Sequence, residues 1–312
     1  MSDIVTVTMN PAIDLATLVD RVEPTRKLRC KAVERDPGGG GINVARVVRR
    51  LGSEVTAIYP VGGSIGRLLR RLVDAQGILS ITIEVAEETR ESFTAFDESI
   101  GDQYRFVLPG PRLSESEWRR CLDALASLKE KPRFVVASGS LPPGVPEDFY
   151  AQLARSTATL GAKTVLDTSG VALREAVAHG VYLVKPNLGE LRALTDASLD
   201  DERSRIAACR QIIANRGAEI VVLTLGHEGS LLITREAAWR AAPLPVKIVS
   251  TVGAGDSFLG AMVWAIAGGQ ALPEAFRCAA AAGAAALLSS GTELSHAKDI
   301  RRLLPEVKVI PI

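Results

Sequence analysis

The chain has 312 residues, 47% hydrophobic and 23% charged, with 37 Lys and Arg against 36 Asp and Glu, for a formal charge of +1. That is enough apolar material for a sizeable core, within reach of a single α/β domain (1–312) carrying one embellishment. Near-neutrality excludes a global field for gripping nucleic acid or an anionic membrane, so any anionic substrate must be held by local groups.

Cys30, Cys121, Cys209 and Cys278 are widely spread and form no CxxC pair. This argues against zinc and a disulfide framework, and fits a reducing compartment. The opening Met-Ser-Asp-Ile-Val-Thr-Val has neither the basic flank nor the apolar core of a signal peptide. The longest apolar runs, 258–269 and 278–288, fall short of the roughly 20 residues that span a bilayer. The expectation is a soluble, cytoplasmic protein.

In chain order, short β-branched runs at 4–8, 55–59, 134–137, 164–166, 182–184 and 220–225 read as buried strands. Amphipathic stretches lie between them. In 42–51, Ile42, Ala45, Val48 and Leu51 keep to one face, and Arg46, Arg49 and Arg50 are expected to point away. Such alternation implies a mostly parallel sheet covered by helices on both faces, with ligands at the carboxyl ends of its strands. One segment interrupts it. Residues 92–96 and 103–107 flank the turn signal Ile100-Gly101-Asp102 and read as a hairpin. Residues 14–33 lack helical periodicity and supply further strands of the same small sheet, a lid, a dimer surface, or both. The Ala-rich run 279–286 reads as a tightly packed helix.

Three motifs carry chemistry. Gly38-Gly39-Gly40-Gly41-Ile42-Asn43-Val44-Ala45 opens a helix, where backbone can approach a ligand and free N–H groups face it. The competing reading is a turn with a helix start. Thr251-Val252-Gly253-Ala254-Gly255-Asp256 also precedes a helix. Gly253, Ala254 and Gly255 can form an anion nest, with Asp256 as a base at its mouth or, alternatively, as a plain helix cap. The run matches neither a Walker loop nor GxGxxG. Lys185-Pro186-Asn187-Leu188-Gly189-Glu190 follows a strand, and Asn187 and Glu190 share a helix face suited to hydrated Mg²⁺. Here the alternative is a first-turn acid complementing the helix dipole. Asp14, Lys27, Arg90, Arg105 and Ser140 are weaker candidates, the arginines for bidentate phosphate binding. His179, His227 and His296 show no ligand spacing.

Together these motifs resemble the ribokinase-like sugar kinases of the phosphofructokinase B type, and the resemblance runs over nearly the whole chain. It implies a ribokinase-like three-layer αβα fold with a small β-sheet lid formed by about 14–33 and 90–108. The implied reaction is transfer from MgATP to a sugar phosphate, fructose 6-phosphate first and tagatose 6-phosphate or fructose 1-phosphate as alternatives. A non-catalytic sensor of sugar phosphate or nucleotide is the rival from another class. By resemblance, Asp256 is the base and Gly253 to Gly255 the anion hole. Asp14, Gly39 and Asn43 fall at sugar positions, and Arg90 and Arg105 near the sugar phosphate. Lys185, Thr224, Gly226 and Thr251 lie beside the nucleotide, and Asn187 and Glu190 organise Mg²⁺. Homodimerisation through the lid is implied, as is a K⁺ site near Ser250 and Val252. The departure is Gly291-Thr292-Glu293, an acid where a basic residue is expected.

Overall fold

The computed structural model describes residues 2–312. The elements run β1 (Ile4–Val7), β2 (Ala12–Val19), β3 (Val33–Gly38), α1 (Gly40–Arg50), β4 (Thr56–Val61), α2 (Gly63–Ala75) and β5 (Leu79–Glu84). Next come β6 (Arg90–Asp97), β7 (Asp102–Val107), α3 (Glu115–Ala126), β8 (Phe134–Ser138), α4 (Phe149–Thr159), β9 (Lys163–Asp167) and α5 (Gly170–His179). Then β10 (Val181–Val184), α6 (Leu188–Thr195), α7 (Glu202–Ala214), β11 (Ala218–Thr224), β12 (Ser230–Ile233) and β13 (Ala238–Ala241) follow. The chain closes with α8 (Ala254–Ala267), α9 (Leu272–Ala286), α10 (Ala297–Leu303) and β14 (Val309–Pro311).

Ten strands form the central sheet in the order β14-β13-β12-β11-β10-β9-β8-β1-β4-β5. From β11 through β5 they pair in parallel, and the pairings β11-β12, β12-β13 and β13-β14 are antiparallel. Because strand side chains alternate between faces, each strand feeds two cores. Val136, Val165 and Leu183 pack with α1, α2, α8 and α9, whereas Val135, Leu166 and Val184 pack with α3, α4 and α7. This is the expected three-layer αβα arrangement. The chain steps from β1 to β4 and β5 on one side, then to β8, β9, β10 and β11 on the other. The strand order therefore reverses at β1, and its carboxyl end is where such sheets place ligands.

A separate four-stranded sheet, β3-β2-β6-β7, stands beside this edge. The hairpin is present as β6 and β7, paired antiparallel. The other half differs in extent from the expected 14–33. Its strands are 12–19 and 33–38, and residues 20–32, including Lys27, are an irregular connection. The segment Arg21-Val22-Glu23-Pro24-Thr25 explains this, since proline cannot donate to a ladder.

A second correction concerns α1. Ile42, Ala45 and Val48 are buried as expected, but Arg46 does not point away: only 1% of it is exposed. The helix is covered on a second side by α8, where a Cβ at Gly260 would stand 2.9 Å from Val47 Cβ. A helix enclosed on two sides buries more than one stripe. Arg46 is tolerated inside because its guanidinium is fully engaged, as described below.

Candidate active site

The glycine run lies over the carboxyl ends of β1 and β8. A Cβ on Gly40 would fall 2.2 Å from Ser138 Oγ, and one on Gly41 would fall 2.5 Å from Thr8 Oγ1. These two glycines are thus required by packing, which lets the start of α1 sit directly on the strand ends. Gly39 has φ 109°, a conformation that favours glycine. One turn later, buried Asn43 reaches across to α8, and its Nδ2 donates to Asp256 Oδ2 at 2.8 Å.

Asp256 lies in the first turn of α8, but the helix is capped by Gly253, whose φ is 73°. The carboxylate is committed to Asn43 rather than to its own backbone, so the plain capping reading does not describe it. First-turn N–H groups have no partners within a helix, and the Ala254 N–H makes only a long 3.5 Å bond to the Thr251 carbonyl. The Lys185 ammonium adds positive charge here, since Nζ would lie 3.3 Å from a Cβ on Gly255. Enclosure of the carboxylate pushes the Asp256 pKa up to about 6, Asp167 adds to this, and Asn43 and Lys185 oppose it.

Lys185 is buried and pairs with Asp167 Oδ2 at 3.0 Å. Burial opposes its charge, but Asp167, with smaller help from Asp256 and Glu190, holds its pKa above the ordinary lysine value. Asn187 and Glu190 form a reciprocal cap on α6. The Glu190 N–H donates to Asn187 Oδ1 at 2.9 Å, and the Asn187 N–H donates to Glu190 Oε2 at 2.8 Å. Thr224 joins them through a bridge to Asn187 and donates its N–H to the Pro186 carbonyl at 3.0 Å. Glu190 is raised, first by burial and also by the Asp167 charge. Two carboxylates repelling each other beside an exposed amide suit a cation that keeps several waters and takes few protein ligands, as Mg²⁺ does. Among the described residues there is no cluster of three or more acidic, His or Cys side chains able to hold a metal alone.

On the lid side, Asp14 is 6% exposed. Burial raises its pKa, while Arg105, Arg90 and Arg46 pull it down. Arg90 donates to the Asn10 carbonyl at 2.9 Å and to the Leu108 carbonyl at 3.0 Å. Its Nε and the Asn10 Oδ1 are buried without partners, and such orphaned groups call for a functional explanation. Asn10 Nδ2 donates to Ser140 Oγ at 3.1 Å, bringing the loop after β8 to this side. Arg105 is exposed and faces Asp14 by charge. Lys27 is exposed in the 20–32 connection, and none of the described residues bonds to it. Gly226 and Thr251 are exposed at the same strand edge, after β11 and before α8. Ser250 is buried and donates to the Gly291 carbonyl at 3.1 Å. Glu293, the departure from the motif pattern, turns its carboxylate to His296 at 2.7 Å.

Three residues of this constellation escaped sequence reasoning. Asp167 ends β9 at the ligand-bearing edge, and an acid directly after a buried apolar run was its available signal. Asn10 follows β1 in the same way. Arg46 gave no signal, because an arginine among Arg46, Arg49 and Arg50 reads as solvated.

The fold and site together define a ribokinase-like phosphotransferase. More particularly, the chain belongs to the pfkB family of carbohydrate kinases, whose profile matches residues 5–299. The ATP-dependent 6-phosphofructokinase isozyme 2 of Mycobacterium tuberculosis (strain CDC 1551 / Oshkosh) is 45% identical over 299 residues, covering 96% of this chain and 88% of that protein. The crystal structure of phosphofructokinase-2 from Escherichia coli in complex with fructose-6-phosphate superposes with TM-score 0.92 at 38% identity, covering 98% of this chain and 99% of that one. The E. coli enzyme in complex with potassium superposes with TM-score 0.93 at 39% identity, covering 98% and 99%.

Proposed function

We propose that this chain is an ATP-dependent 6-phosphofructokinase, transferring the γ-phosphoryl group of ATP to the C1 hydroxyl of fructose 6-phosphate. The observation that carries this reading is the Asp256 carboxylate, held by Asn43 at the amino end of α8 beside the Lys185 ammonium. A carboxylate so placed takes the proton of the attacking hydroxyl. The sugar oxygen bonds to the γ-phosphorus as the bond to the ADP oxygen breaks in line. The amides of Gly253, Ala254 and Gly255, with Lys185, meet the charge on the transferring group.

Asp14 binds sugar hydroxyls, bordered by Gly39, Asn43 and Ser140, and Arg90 and Arg105 grip the 6-phosphate. ATP lies along Thr224, Gly226 and Thr251. Asn187 and Glu190, faced by Asp167, would hold Mg²⁺ through water; bound with ATP, the ion neutralises phosphate charge. The backbone around Ser250 and Val252 would hold K⁺. Closure of the lid excludes water that would otherwise accept the phosphoryl group. The lid's far face carries Leu15, Phe93, Phe106 and Tyr104, the last two exposed, which supports pairing with a second copy of the chain. No helix of the described residues is long and apolar enough to cross a membrane, and the proposed setting is cytoplasmic glycolysis.

Initial rates of ADP release with fructose 6-phosphate, tagatose 6-phosphate and fructose 1-phosphate at matched concentrations test the assignment. The expected result is the highest kcat/KM with fructose 6-phosphate. A higher value for another sugar phosphate would reassign the substrate, and no release with any would leave a non-catalytic sensor.

A further inference from the structure

The Arg46 guanidinium joins three segments that are distant in sequence. Its NH2 donates to Asp36 Oδ1 at 2.6 Å, and its NH1 contacts the carbonyls of Pro37 at 3.0 Å and Thr292 at 3.3 Å. Nε donates to Gln76 Oε1 at 3.1 Å. Asp36 is held from its other oxygen by the Thr292 hydroxyl at 2.9 Å. Asp36 and Pro37 belong to lid strand β3, and Thr292 lies in the loop against the start of α8, whose Ser257 Oγ accepts from the Ser295 N–H.

The remaining contact bears on the base. NH1 faces Asn43 Oδ1 at 3.4 Å, while Asn43 Nδ2 donates to Asp256 Oδ2 at 2.8 Å. A guanidinium has only donors, and an ionised carboxylate has only acceptors. With one on each side, the Asn43 amide has a single satisfactory orientation. Turned over, it would set oxygen against carboxylate and NH₂ against guanidinium.

We propose that Arg46 is a positioning residue: anchored by Asp36 and Pro37 of the lid sheet and by the Thr292 carbonyl, it fixes the Asn43 amide and so aims the Asp256 carboxylate. The sugar-side lid strand and the catalytic base are thereby tied to one buried cation. The proposal rests on the kinase reading of Asp256, and it adds a residue that itself touches no substrate.

The groups facing Asp256 are Asp167 at the end of β9, Lys185 after β10, Asp14 on β2 and Asn43 on α1. Of these, Asn43 is the one Arg46 bonds to, so loss of Arg46 frees the Asn43 amide to turn and weakens the N–H donation that favours the ionised carboxylate. Arg46→Met is expected to lower kcat about 100-fold, the size typical of a misaimed group. It should also move the acid limb of kcat upward in pH, leaving the KM for ATP little changed. Asn43→Ala should show the same pH movement, and in that background Arg46→Met should cost almost nothing further. A fall in kcat with an unmoved acid limb, or costs that multiply in the double variant, would overturn the proposal. Should Arg46→Met fail to fold, Thr292→Val loosens Asp36 from the far end of the same chain of bonds and should move the limb in the same direction. Wild-type turnover is measured first, and its absence would count against the kinase reading alone. The pH dependence of the thermal midpoint then reads the Asp256 titration without substrate. Identical profiles for wild type and the Arg46 or Thr292 variant would sink the positioning role.

Discussion

Asp256 shows how one residue's environment decides its chemistry. Its carboxyl stays protonated to a higher pH than a free aspartate, near 6 rather than 3.8. Turnover that needs the ionised form should therefore fall as pH drops through about 6, visible as the acid limb of the kcat profile. The same displacement bears on stability, with the opposite sign to a salt-bridged acid. Below pH 3.8 the group is protonated folded and unfolded, so it has no effect. Between 3.8 and about 6 the unfolded chain releases its proton while the folded one keeps it, and stability is lost as pH rises. The gap between 3.8 and about 6 is worth about 3 kcal/mol. Asp256→Asn is thus expected to lose several orders of magnitude in kcat while unfolding at a higher temperature than wild type at about pH 7.5, above both values. That gain should vanish near the unfolded value of 3.8, and calorimetry at the two pH values checks it. The acid and its glycines were legible in the sequence. The burial, the Asn43 bond and the Asp167 charge were not, since they depend on how α1, β9 and α8, distant in sequence, meet at one edge.

At the scale of elements, the amino end of α8 is built by two separate constraints on Gly253. Its φ of 73° disfavours any side chain, and a Cβ there would fall 2.2 Å from Leu294 Cδ2. Gly269, just beyond the far end of the same helix, has φ 80° with nothing within 4 Å of the added carbon. The pair separates strain from collision. Gly269→Ala should cost about 1 kcal/mol and leave kinetics unchanged. Gly253→Ala should cost about 2–4 kcal/mol and reduce kcat sharply, because the buried Leu294 side chain has little room to move and the strain is shared with the first-turn amides. Urea unfolding with parallel rate measurements distinguishes them, and equal effects of the two would refute the collision. Helix α8 was legible from its glycines and apolar spacing. The face of α1 was only half legible: Ile42, Ala45 and Val48 marked one buried side, but the second side is created by α8 over 200 residues later. Local periodicity contains no sign of that partner, which is why Arg46 read as exposed.

For the whole molecule, the parallel sheet was legible because buried β-branched runs alternate with helices, and its strand order then fixes where ligands collect. The lid was harder to read. Residues 20–32 carry no periodic pattern, and strands β2 and β3 are held together by register rather than by local propensity. That register also sorts the lid's two faces. Arg105 pairs with Thr94, whose β2 partner is Ala16, so it lies one row along from Asp14 on the same face, where Gln103 also meets Ser250. Arg105→Ala is accordingly expected to raise the KM for the sugar phosphate at least ~10-fold while leaving that for ATP nearly unchanged, as loss of a charged phosphate contact should. An equal rise in both would exclude the phosphate role.

The opposite face carries Leu15, Phe93 and Phe106 in one row across three strands, and Thr17, Ala95 and Tyr104 in the next. Phe106 is 55% exposed and Tyr104 38%, so large apolar rings meet solvent on a sheet with two free edges. Exposed apolar rings grouped on one face mark an interaction surface. A second copy offering the same row is a self-complementary solution, since a two-fold axis sets each patch on its twin. Phe106→Glu puts a carboxylate into that contact without touching Asp14, Asp256 or the main core. Sedimentation velocity should then show the wild-type chain at twice the monomer mass and the variant as monomer, with the far-UV spectrum unchanged. Wild-type monomer at micromolar concentration, or a variant that stays dimeric, would place the association surface elsewhere. The row and the catalytic face share one thin sheet, so the monomeric variant should also show a raised KM for the sugar phosphate. Separating two copies paired through this row would thereby loosen the strand that carries Arg105.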